Sequence, residues 1–67
     1  MITLEHQGPR YIVRIDGVHV ADLFDASNSL AIQRTVSESE RKQMVRHCVE
    51  FLGRPLERVT AIDWDKS

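Results

Sequence analysis

Apolar positions alternate with polar ones through the first third of the chain and then switch to a helical spacing, a pattern that predicts a sheet followed by one helix. The sharpest local signal is YIVRI-DG-VHVAD, in which Asp16-Gly17 divides two runs of β-branched residues and suits a two-residue hairpin turn of type I′. A two-residue turn pairs Ile15 with Val18, Arg14 with His19, Val13 with Val20, and Ile12 with Ala21. Val13, Ile15, Val18 and Val20 then share one face, and Ile12, Arg14, His19 and Ala21 share the other.

Ahead of this hairpin, Ile2, Leu4 and His6 alternate with Thr3 and Glu5, and Gly8-Pro9 interrupts the run, which predicts a strand over residues 1–6 turning into Tyr11. After it, Asp25 to Asn28 read as a turn. Leu30, Ile32 and Val36 then recur at even spacing, which favours a strand, and the rival reading is a helix from Asp25 to Arg34, because Leu30, Ala31 and Gln33 are not strong strand formers.

The helical segment opens on Ser37, with Glu40 three positions later, the spacing of a capping box in which each residue bonds the other's backbone N–H. Met44, Val45, Cys48, Phe51 and Leu52 follow on one side, and Lys42, Gln43, Arg46, His47 and Glu50 on the other. Gly53 suits the left-handed residue that ends a helix, and Pro55 keeps it from resuming. The run from Arg58 to Trp64 is apolar on both faces, the composition of an internal strand. If it lies parallel to the strand before the helix, the two form a β-α-β crossover.

The fold expected is therefore a single α+β domain over residues 1–67. It has a small antiparallel or mixed sheet of three to five strands and one amphipathic helix, about 38–52, packed on one face, in the order β-β-β-(β)-α-β. A domain this short buries only about 60% of the surface of its unfolded chain, so self-association as a homodimer would add useful burial.

Composition narrows the function classes. Apolar residues make up 42% and charged residues 28%, ordinary values for a folded domain. The formal net charge of -1 lacks the basic excess typical of nucleic-acid or anionic-membrane binders. Residues 1–33 are net acidic and residues 34–58 net basic, an imbalance too small to specify a ligand. The lone Cys48 closes no internal disulfide, which fits a reducing, cytoplasmic location, and the N-terminal residues lack the pattern of a signal peptide.

Catalytic and metal chemistry find little support. Cys48 falls in the middle of the apolar helix stripe, where a cysteine packs as a small hydrophobe. His6, His19 and His47 have no recognised ligand spacing. Gly8, Gly17 and Gly53 stand singly, so neither a dinucleotide fingerprint nor a phosphate loop is present. Asp63 and Asp65 flank Trp64 and suit a solvated strand as well as acid–base work. The expectation is a chain that is not an enzyme and takes no cofactor or metal.

What remains is binding. Candidate interaction residues are Ile12, Arg14 and His19 on the hairpin, Lys42 and Arg46 on the helix, and Trp64 near the C-terminus. They suggest a non-catalytic protein-binding module, an adaptor, inhibitor or small subunit that occludes a partner's surface. Small phage and other mobile-element proteins that block a larger host complex share this size and this lack of chemistry. The alternative is nucleic-acid binding, because a three-stranded sheet followed by a helix resembles the arm-binding domains of phage integrases in element order.

Overall fold

The computed structural model describes residues 1–61. A five-stranded mixed sheet runs β1 (Ile2–Gln7), β2 (Arg10–Ile15), β3 (Val18–Phe24), β4 (Ser29–Ile32) and β5 (Arg58–Ala61), in that spatial order. Helix α1 (Glu38–Leu52) connects β4 to β5. The first three pairings are antiparallel and β4 pairs with β5 in parallel, so the helix forms the crossover of a β-α-β unit. This is the small α+β architecture expected.

Turn chemistry accounts for the meander. Gly8 has φ 62° and precedes Pro9, the order a type II′ turn requires between paired Gln7 and Arg10. Asp16 and Gly17 both have positive φ, 50° and 85°, the signature of a type I′ turn. Residues 25–36 resolve as a 3-10 turn over Asp25–Ser27, a left-handed Asn28 and then β4, so the strand assignment holds and the helix assignment does not.

The hairpin departs from the expected register after two pairs. Ile15 faces Val18 and Arg14 faces His19, but Val13 faces Ala21 and Ile12 faces Asp22. Val20 is the extra residue of a β-bulge, sharing Val13 with Ala21. The reason lies in the apolar pattern of β3, which occupies positions 18 and 20 and then 21 and 23. Without the bulge Asp22 would point into the core and Leu23 away from it. With it, Val20, Ala21 and Leu23 are all buried in the core.

That core fills the space between α1 and one sheet face: Val13, Val20, Ala21, Leu23, Leu30, Ile32, Met44 and Cys48. The helix begins at the expected capping box. Glu40 N–H donates to Ser37 Oγ at 3.1 Å, and Ser37 N–H donates to Glu40 Oε1 at 3.0 Å. Replacing Ser37 with Ala should therefore cost about 1 kcal/mol in chemical denaturation, with Ser37→Asp retaining most of it. Gly53, at φ 76°, ends the helix and donates its N–H to the carbonyl of Val49.

The next residue ties this end of the helix to the sheet. Arg54 Nε donates to Asn28 Oδ1 at 2.5 Å, and its Nη2 donates to the Asp25 carbonyl and carboxylate at 3.1 and 3.0 Å. Glu57 N–H reaches the Asn28 carbonyl at 2.7 Å, which brings β5 alongside β4 in register.

Two packing expectations are corrected. Phe51 is 50% exposed rather than part of the core stripe, because Tyr11 occupies the flank of the sheet and meets it edge-on, ring centroids 4.9 Å apart. β5 stands at the end of the sheet order rather than inside it, with Val59 and Ala61 packed on the core and Arg58 and Thr60 exposed. Its apolar continuation, Ile62 to Trp64, lies outside the described residues.

Candidate interaction surface

With α1 on one face of the sheet, pairing places Thr3, Glu5, Arg10, Ile12, Arg14, His19 and Asp22 on the other. His19 and Asp22 are three residues apart, a spacing that puts side chains on opposite faces of a regular strand. The bulge between them restores them to one face.

Their side chains meet there. His19 Nε2 lies 2.9 Å from Asp22 Oδ1, and Gln33 Nε2 donates to Asp22 Oδ2 at 2.8 Å. Arg10 Nε sits 3.9 Å from the same carboxylate. Asp22 is 4% exposed, so this carboxylate is covered by the groups that satisfy it, and no buried side-chain polar atom among the described residues lacks a partner. Alongside, Arg14 donates to Glu5, and that hydrogen bond holds the Glu5 carboxyl below its ordinary pKa of 4.5. The result is an ordered polar surface, with each oxygen of the central carboxylate bonded to a different strand or strand end.

Ile12, Arg14 and His19 therefore share a surface, as the hairpin pattern indicated. Ile12 has a different role from the one expected: at 4% exposure it is covered by its neighbours and offers no apolar anchor. Its cross-strand neighbours are Glu5 and Asp22. Lys42 and Arg46 are exposed on α1, across the sheet from this surface, so the six candidates do not converge. Trp64, Asp63 and Asp65 lie outside the described residues. Asp22 and Gln33, which complete the cluster, were absent from the candidates read from sequence. The signal for Asp22 was the shift of apolar positions from even to odd along β3.

Cys48 and His47 do not form a reactive pair. Cys48 is fully buried beside Met44 in the core, whereas His47 is exposed on the helix flank. Burial pushes the Cys48 thiol up to about 11 from its ordinary 9.0. The folded state thus disfavours the thiolate. Stability should hold below pH 9 and then fall as pH rises toward 11, because the unfolded chain loses this proton first. Urea titrations across that range should give a smaller decline for Cys48→Ala than for the wild type. Equal declines would refute the assignment. Cys48 also lies on the helix side of the sheet, opposite His19, and no three His, Cys, Asp or Glu among the described residues are grouped to hold a metal ion.

No described helix is long and apolar enough to cross a membrane. Neither a protein-family model, nor a curated protein, nor a solved structure matches the chain.

Proposed function

We propose that this chain is a non-catalytic protein-binding module of a reducing, cytoplasmic compartment, and that it docks through the sheet face opposite α1. The observation that carries the reading is the buried Asp22 carboxylate, fixed from two sides by His19 and Gln33 on a face that no helix covers among the described residues. A solvated sheet face needs no such order. A binding face does, because side chains already held in place lose less conformational entropy when a partner arrives. Adaptor, inhibitor and small-subunit roles all use a surface of this type, acting by occluding the partner.

The pairing of charges favours a protein over a nucleic acid as the ligand. Arg14 is engaged by Glu5 and Arg10 approaches Asp22, so these guanidinium groups would have to leave carboxylates to meet phosphates. Duplex DNA tests the alternative directly: retention that falls steeply with salt would establish it, and no retention at low salt would remove it.

For the leading reading, a tagged chain should retrieve a stoichiometric protein partner. Arg14→Ala and His19→Ala should each weaken that complex about 10- to 100-fold, the range of interface hot spots. Lys42→Ala and Arg46→Ala, on the helix, should leave it intact. A wild-type chain that retrieves nothing, or a complex lost only through the helix variants, would overturn the assignment.

A further inference from the structure

Among the described residues β1 is paired on one side only, and its free side has the geometry to pair with itself. Asp16 N–H donates to the Met1 carbonyl at 2.9 Å, and antiparallel ladders alternate. Thr3, Glu5 and Gln7 therefore turn their backbone groups toward β2, and Ile2, Leu4 and His6 turn theirs outward. Six residues of open strand edge are an invitation to further pairing unless something blocks them. Here no proline or bulge interrupts β1, and its one formal charge, Glu5, is engaged by Arg14.

We propose that a second copy of this chain pairs with the free edge of β1, antiparallel, about a two-fold axis through Leu4. The register follows from three requirements. Outward-facing residues must meet outward-facing residues, which excludes odd shifts. Centring on Leu4 then sets Ile2 against His6 of the second copy and Leu4 against its equivalent, an overlap of five residues that no permitted register exceeds. Centring on Glu5 would oppose two carboxylates, and centring on Thr3 would shorten the ladder. In the Leu4 register each Thr3 faces Glu5 of the second copy, and Arg14 stands on the other side of Thr3. Two strand spacings, about 10 Å, separate the backbone of that Glu5 from the backbone of Arg14, a distance the two extended side chains together can bridge. The charges of the two copies are thus complementary across a short, uncharged residue.

The helix side supplies the apolar part of the contact. Ile2, Leu4, His47, Glu50 and Phe51 line a shallow groove of 410 Å³ beside this edge, and Phe51 is half exposed there. Tyr11 continues the aromatic row by stacking on His6, with centroids 4.9 Å apart. The two-fold axis carries His6 of the second copy to Ile2, at the mouth of that groove. An interface of standard size takes about 800 Å² from each partner, so strand and helix flank must both contribute. The pairing would extend the open face across ten strands.

Sedimentation equilibrium of the full chain, from micromolar to near-millimolar concentration, tests the proposal. The wild type should reach a monomer–dimer equilibrium in that range. Thr3→Glu places like charges opposite each other twice per dimer and should raise the dissociation constant about five- to tenfold. Thr3→Lys should lower it by a similar factor. Within one copy Thr3 faces Arg14, so the same substitutions shift monomer stability in the opposite sense. Thermal melts at low concentration therefore separate a folding effect from an interface effect. A chain that stays monomeric, or a dimer indifferent to both substitutions, would overturn the pairing. Neither result bears on which ligand the open face takes.

Discussion

Leu23→Ala should remove a large share of the stability of the domain. Leu23 is fully buried near the end of β3, paired with Tyr11 on one side and Leu30 on the other, and belongs to the cluster that meets Met44 and Cys48 of the helix. Truncating such a leucine removes about 2–5 kcal/mol through lost transfer energy and the cavity left behind. A domain of this length has roughly 3–10 kcal/mol in total at about 0.05–0.15 kcal/mol per residue, so one truncation consumes a large share. Leu23→Met, which keeps the volume, should cost less than about 1.5 kcal/mol. Urea denaturation followed by circular dichroism reads both. A loss under 1 kcal/mol for the alanine variant would mean that the bulge does not direct Leu23 inward.

Asp22→Ala should destabilise the domain by about 2 kcal/mol and also weaken partner retrieval. The carboxylate accepts from Gln33, lies 2.9 Å from His19 and is covered by their side chains, so its removal leaves both without the group that orders them. Asp22→Asn keeps one carbonyl acceptor and should lose less of both properties. The comparison matters because His19→Ala removes only one of the partners and leaves Gln33 in place. If Asp22→Ala melts like the wild type, the cluster is incidental to the fold. If it melts lower yet binds as before, the docking surface lies elsewhere.

These two variants address the part of the fold that was hardest to read in advance. The turn at Asp16-Gly17, the capping box at Ser37 and the stop at Gly53 were legible because each depends on residues within four positions of one another. The bulge was not read, although its mark is in VHVADLF, because a two-residue turn sets register only until the apolar pattern changes parity. Tertiary packing overruled local spacing at Phe51. Helical periodicity assigns it to the core side, but the width of the sheet decides whether that side has anything beneath it, and at this edge Tyr11 fills the space. The same limit applies to β5. A run apolar on both faces suggests enclosure, but β5 pairs only with β4 among the described residues. The candidate surface was half legible: the hairpin placed Ile12, Arg14 and His19 together, whereas Gln33 joins them from a segment eleven residues beyond Asp22.

The parallel pairing of β4 with β5 also bears on how the molecule comes together during synthesis. β1 through β4 is a succession of short-range connections, each able to close as soon as its own turn has left the ribosome. Yet this ribbon has nothing to lay its oily side against until Met44 and Cys48 have followed, and β5 cannot join β4 before the whole helix has crossed. The first four strands and α1 as far as Cys48 must therefore emerge before any of them is well protected, so nascent chains exposed outside the ribosomal tunnel only to a point ahead of Cys48 should be protease-sensitive, and those exposed through Ala61 resistant.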